Sequence, residues 1–189
     1  MKTRPEALAL LHEYTKSESL RKHAYAVEAA VRAYARKFGE DEEKWAVTGL
    51  LHDFDYEQYP TPQEHTVVGA RILAEQGYPE DVIYAIRAHA DYNGLDRTSM
   101  LAKALYACDE LSGFVMAVAM VRPSKNVADV KVKSVKKKLK DKAFAKGVNR
   151  DDVYRGAEEL GVDLDEHIAF VVDALTEVAT ELDLAGASA

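Results

Sequence analysis

The spacing of its apolar residues constrains this chain more than any other feature. Between residues 18 and 38, Leu20, Ala24, Val27, Val31, Ala35 and Phe38 recur every three or four positions, which places them on one face of an α-helix. Almost every other long segment has the same period, and no β-branched run alternates for long enough to read as a strand. The expected fold is therefore all-α. Pro5 opens a helix over 5–14, and Ser17 caps the one over 18–38, which Gly39 ends. Further helices are expected over 41–52, over 62–76 from the Thr61-Pro62 pair, and over 79–90 from Pro79. Ser99 caps a sixth to about 111, with Ser112-Gly113 bending or breaking it before 114–121. Beyond it lie a lysine-rich helix over 127–145 capped by Asn126, a short one over 151–160, a last long one over 164–182, and a frayed tail over 185–189. This divides the chain into a helical bundle over 1–120 and a C-terminal helical extension over 121–189 packed on it.

With 189 residues the chain can bury a substantial core. No apolar run approaches the ~20 residues of a membrane helix, so no membrane partner is expected. The opening Met1-Lys2-Thr3-Arg4-Pro5 leads into only a short apolar stretch and does not read as a secretory signal. The single Cys108 fits a reducing cytosol, and beside Asp109 on an apolar helix it reads as a core side chain. A cytoplasmic location is expected. Charge is uneven. Of 25 basic and 32 acidic residues, ten basic and two acidic fall between positions 122 and 146, leaving a strongly acidic body.

One dipeptide stands out chemically. His52-Asp53 closes the apolar run Trp45-Ala46-Val47-Thr48-Gly49-Leu50-Leu51 and opens a polar loop. Two such groups at the end of a buried helix are costly to desolvate unless something binds them, and a metal ion is an economical partner. Other donors follow on neighbouring helices: His23, His65, His89 and Asp109. Imidazole with carboxylate suits first-row transition metals, whereas Mg²⁺ prefers oxygen and keeps its waters. Four histidines and two aspartates suffice for two ions if Asp53 bridges. One or two divalent ions of Fe, Mn, Co, Ni or Zn are expected. His12 and His167 read as hydrogen-bonded or surface residues.

The order histidine, histidine-aspartate, histidine, histidine, aspartate resembles the HD-domain superfamily of metal-dependent phosphohydrolases. The resemblance runs over about 17–120 and rests on Leu20-Arg21-Lys22-His23, Gly49-Leu50-Leu51-His52-Asp53, Glu64-His65-Thr66-Val67-Val68-Gly69-Ala70, Ala85-Ile86-Arg87-Ala88-His89 and Ala107-Cys108-Asp109-Glu110. It implies that His23, His52, Asp53 and Asp109 hold the core metal. His65 and His89 match positions that some members use for a second. After His89 the chain reads Ala90-Asp91-Tyr92-Asn93-Gly94, which is not the loop of the HD-GYP phosphodiesterases.

The expected activity is hydrolysis of a phosphate ester, in a nucleotide or another small phosphorylated molecule, by metal-activated water. Asp53, Asp55 and Glu57 are the expected catalytic carboxylates, with Glu110 as a further acid that could orient imidazoles or move protons. The loop after the dipeptide lacks the lysine that often follows it in phosphohydrolase members. Substrate-binding charge is therefore expected from Arg122, Lys125, Lys133 and Lys137. A salt-bridged, solvated face is the other reading of that segment. Nucleic acid is disfavoured by overall acidity and by the lack of interleaved aromatics. Two alternatives remain open: a di-iron oxygenase of the same fold, and a non-catalytic, metal-stabilised ligand sensor.

Overall fold

The computed structural model describes residues 2–186, and among them it contains nine α-helices and no strand. They are α1 (Arg4–Tyr14), α2 (Glu18–Phe38), α3 (Glu42–Leu51), α4 (Val67–Glu75), α5 (Glu80–Ala88), α6 (Met100–Met120), α7 (Val132–Leu139), α8 (Arg150–Leu160) and α9 (Leu164–Glu177). Short 3-10 turns at Asp91–Asn93 and Val127–Asp129 join some of them. No helix is long and apolar enough to cross a membrane.

Helix α6 is the axis of the fold. Most of its side chains are buried, from Leu101 to Ala119, and it packs against α2, α5, α8 and α9. Helix α2 starts at Ser17, whose side chain accepts from the Leu20 amide, and ends at Gly39 in the left-handed conformation. Its tightest neighbour is α3. A Cβ on Gly49 would lie 3.0 Å from the Glu28 Cα and from the Val27 carbonyl oxygen, so any side chain there would press the two backbones apart by a few tenths of an ångström. The consequence is positional: the C-terminal end of α3, with His52 and Asp53, is driven in against α2 and α6.

Five expectations need correction. The helix expected over 62–76 begins only at Val67. One turn does form at Thr61, whose hydroxyl bonds Glu64 and whose carbonyl accepts from the His65 amide. Thr66 then breaks it at φ 63°. Helix α6 runs unbroken through Ser112-Gly113. Ser112 is buried, and Gly113 faces His23, where a Cβ would sit 3.5 Å from its Nδ1. Burial of most of the helix outweighs the ~1 kcal/mol propensity loss of a mid-helix glycine.

The lysine-rich segment is not one helix. Only Val132–Leu139 is helical, burying Val135 and Leu139. The turns after it are gathered by Arg150, whose guanidinium donates to the carbonyls of Asp141, Phe144, Ala145 and Val148. Finally, α9 ends at Glu177, and Ala185 forms an antiparallel bridge with Asn126 where fraying was expected. The last three positions of that tail lie outside the described residues. Cys108 is buried in the core as expected.

Candidate metal centre

The six expected donors converge on one cavity although they come from five separate stretches. His23 projects from the second turn of α2. His52 and Asp53 follow the last turn of α3, His65 precedes α4, His89 caps α5, and Asp109 sits in the middle of α6. His23 Nε2 is 2.9 Å from Asp109 Oδ1, and His52 Nε2 is 3.3 Å from the same oxygen and 3.4 Å from Asp53 Oδ2. His65 Nε2 and His89 Nε2 lie 3.1 and 3.2 Å from Asp53 Oδ1. Two overlapping sets, His23-His52-Asp109 and His52-Asp53-His89, each bring their donor atoms within 4.8 Å of one another. Either set can hold a metal ion.

Three imidazoles are fixed from behind. His52 Nδ1 is 2.8 Å from the Gly49 carbonyl, His89 Nδ1 is 2.6 Å from that of Ile86, and His65 Nδ1 is 2.8 Å from Asp55 Oδ1. Each partner only accepts, so each Nδ1 carries the proton, and with the ring neutral each Nε2 turns a lone pair into the cluster. The lone pairs meet carboxylate oxygens, acceptor against acceptor. His52 Nε2 and Asp53 Oδ1 are buried and have no hydrogen-bond partner. Such an arrangement repels unless a positive charge lies within it, and the donor chemistry fits a divalent transition metal.

The electrostatics say the same. Burial disfavours a charged imidazole at His52, yet the adjacent Asp53 and Asp109 carboxylates outweigh it and raise its pKa well above the ordinary value. His65 is raised to about 9, because the Asp53 and Asp55 carboxylates beside it overcome its burial. Burial favours the neutral acid at Asp53 and Asp109, but the neighbouring imidazoles hold both carboxyls well below the ordinary range. A site that would draw protons onto buried rings is one that a metal cation satisfies.

Asp55 is the support beneath His65. It is buried, and besides His65 its other oxygen accepts from the backbone amides of Thr66 and Gly69, at 2.9 and 2.8 Å. It thus caps the positive end of α4, which has no side-chain cap of its own. A Cβ on Gly69 would lie 2.7 Å from the Asp55 carboxylate, so glycine there makes room for this contact. Thr66 holds its unusual left-handed backbone with its hydroxyl accepting from Asn93.

The remaining expected site residues are elsewhere. Glu57 accepts from the backbone amides of Lys16 and Ser17, at 2.6 and 3.0 Å, and anchors the start of α2 outside the cavity. Lys133 and Lys137 line a separate depression with Lys136, Lys140 and Asp165. Arg122 and Lys125 do not line the cavity either. The unbroken α6 places its C-terminus about 16 Å along the helix from Asp109, which carries the Arg122–Asn126 loop away from the donors. Nor is salt-bridge pairing general along the lysine segment: among the described residues only Lys136 with Asp165 and Lys138 with Asp141 form lysine ion pairs there.

The cavity has a volume of about 540 Å³. Beyond the donors, its walls include Tyr56, Tyr92 and Tyr106, the acids Asp91, Glu110 and Asp152, and Val148 and Asn149 of the extension. Glu110 lines it beside Asp109. Burial, and then Asp109, push its carboxyl up to about 8. Of these residues sequence reasoning had marked only Glu110. The wall from the extension depends on Gly156, where a Cβ would lie 2.7 Å from the Ala107 Cα, so that α8 packs on α6 at near backbone contact. The two remaining histidines are structural. His12 Nε2 is 2.7 Å from the Tyr25 hydroxyl, and His167 bonds Tyr34 and the Ala107 carbonyl in the core.

Residues 20–113 match the family described as HD domain. The chain belongs to the HD-domain superfamily of metal-dependent phosphohydrolases, and its donor cluster lies within the matched span. Among curated relatives it is 31% identical over 114 residues to Ribonuclease Y of Oleidesulfovibrio alaskensis, covering 58% of this chain and 22% of that one. It is 31% identical over 98 residues to Ribonuclease Y of Nitratidesulfovibrio vulgaris, covering 51% and 18%, and 27% identical over 114 residues to that of Lawsonia intracellularis, covering 58% and 22%. The matched part spans about a fifth of the length of these relatives. No solved structure matches the chain significantly.

Proposed function

We propose that this chain hydrolyses a small phosphate ester at a two-metal centre. The observation that carries the reading is the buried pair of acceptors without partners, His52 Nε2 and Asp53 Oδ1, at the meeting point of four other donors. His23, His52 and Asp109, with Asp53, would hold one ion. Asp53 would bridge to a second held by His65 and His89. Bound divalent metal supplies Lewis acidity toward a phosphoryl oxygen and a nucleophilic water at neutral pH.

The chain's own residues set the rest. The backbone carbonyls behind His52 and His89 fix the tautomer of each ring, and Asp55 does so for His65. Asp55 is therefore a positioning residue, and Asp53 is the carboxylate that touches the reacting assembly. The body over 1–120 supplies every donor, and the extension over 121–189 supplies the Val148-Asn149-Asp152 wall that narrows access. The names of the relatives favour a phosphodiester in RNA as a second reading, while the acidic cavity wall favours a small ester.

The test is metal content of anaerobically purified protein, paired with turnover of a panel of phosphomonoesters, phosphodiesters and short oligoribonucleotides. Two transition-metal equivalents and hydrolysis of a small ester are expected. An Asp53→Ala protein that kept both metal and activity would sink the proposal. An EPR signal from a mixed-valent iron pair, with no hydrolysis across the panel, would move the assignment to oxygenase chemistry.

A further inference from the structure

The walls of the metal cavity are unusual for a site that receives a phosphate. No lysine or arginine lines it among the described residues. Away from the metal donors, a substrate meets Tyr56, Tyr92 and Tyr106 and the carboxyl groups of Asp91, Glu110 and Asp152. Two of these acids are already matched. Asp91 pairs with Arg97 and Arg155, and Asp152 with Arg155. Those guanidinium groups lie outside the cavity wall, in the neighbouring depressions. Glu110 forms no ion pair among the described residues, and its only polar contact there is the Asn149 amide at 3.3 Å.

The tyrosines are disposed to make contact. Tyr56 and Tyr92 are 41% and 49% exposed, unusual for residues of their size in this molecule, and they approach His65 with ring centroids at 5.1 and 6.3 Å. They stand at the mouth of the cavity beside the metal donors. Exposed aromatic faces on a cavity wall without lysine or arginine are the chemistry that recognises a cation, above all an ammonium group. An anionic leaving group, such as a second phosphate or the backbone of RNA, would meet no lysine or arginine on the cavity wall to attract it.

We infer that the cavity of about 540 Å³ selects a phosphate ester whose alcohol carries a positive charge, an aminoalkyl or quaternary-ammonium phosphate. The exposed Tyr56 and Tyr92 faces receive the cation. The inference rests on the phosphohydrolase reading for its metal-bound end, and it adds the identity of the opposite end.

The test uses the full metal-loaded chain and three probes: phosphocholine, its uncharged carbon isostere 3,3-dimethylbutyl phosphate, and 3-phosphoglycerate. Phosphocholine is expected to have a kcat/KM at least tenfold above the isostere, with 3-phosphoglycerate lowest. Tyr56→Leu and Tyr92→Leu should each shrink the phosphocholine-to-isostere ratio several-fold. Calorimetric titration of the same ligands provides a readout without turnover. Tighter binding of phosphocholine than of the isostere, with none of the three hydrolysed, would keep the cation preference and overturn the hydrolase reading. Equal turnover and equal binding of the isosteric pair would overturn the inference and leave the hydrolase reading standing. A ratio unmoved by both substitutions would also overturn it.

Discussion

Two buried histidine environments lie on either side of α6, and they are opposites. His167 is wholly buried, with its Nδ1 2.6 Å from the Tyr34 hydroxyl and its Nε2 2.9 Å from the Ala107 carbonyl. Every polar atom of that ring is satisfied by the protein itself. His52, equally buried, has a carbonyl behind its Nδ1 but no partner for its Nε2. One ring is complete as folded, and the other is complete only with a cation. The same residue type at the same burial thus serves structure in one place and chemistry in the other. What separates them is the company: a hydroxyl and a carbonyl around His167, two carboxylates in front of His52.

The comparison can be broken most decisively at Asp53. Asp53→Ala should remove the shared carboxylate, release metal and reduce turnover by on the order of a thousandfold, as several kcal/mol of metal-derived stabilisation is lost. Metal analysis by mass spectrometry and a turnover assay on the same preparation check it. The wild type should also gain thermal stability on adding Zn²⁺ or Mn²⁺, because the ion binds only the folded cluster. Asp53→Ala should lose most of that gain.

A smaller effect is expected one layer behind the donors. Asp55→Asn places an amide where one carboxylate oxygen stood, so His65 loses an acceptor for its Nδ1 proton. Metal affinity or activity should fall roughly 10- to 100-fold, with the helical circular dichroism unchanged. Gly69→Ala should act in the same direction, because its Cβ would displace the Asp55 carboxylate.

The His167 side of the comparison predicts a stability effect with no effect on metal. Burial lowers the pKa of this imidazole to about 4. The unfolded chain, with an ordinary value near 6.5, therefore binds the proton more readily. The stability contributed by the neutral ring is fully present above about pH 6.5 and is lost as pH falls toward 4, by about 3 kcal/mol in all. His167→Leu should remove this acid-side dependence and lower stability at neutral pH by roughly 1–3 kcal/mol, since the Tyr34 hydroxyl and Ala107 carbonyl lose their partner. Urea denaturation from pH 4 to 8 reads both. Its zinc affinity should match the wild type.

The smallest effect is expected in the lysine depression. Lys133→Glu with Lys137→Glu should change turnover of a small ester by less than about twofold. These side chains face Asp165 and other lysines away from the cavity, and exposed charges this far off are largely screened. A tenfold loss of kcat/KM would return the segment to substrate binding.

Much of the site was legible in the chain because its donors are rare residues placed at helix ends or interrupting apolar faces. His52-Asp53 after an apolar run and Asp109 within another both stand against their surroundings. The helix ends carried by Ser17 and Gly39 were equally readable, because caps are local. The misjudged points share one cause. Ser112-Gly113 looks like a breaker, but burial against α2 turns it into a packing contact. Glu57 looks like a site acid because it follows the dipeptide closely, but its reach is to the α2 amides. The cavity walls from α8 gave no signal, since Asp152 and Asn149 are ordinary surface residues until Gly156 seats their helix on Ala107.

The sequence by itself determined the all-α fold, the order of the elements and the six candidate donors, because periodicity, capping and residue type act over one or two helical turns. Only the tertiary structure decided which donors share a carboxylate oxygen, which acid supports an imidazole and which charges face the cavity. Those depend on how closely helices approach, and at Gly49, Gly69 and Gly156 that approach is set by the space a missing Cβ leaves.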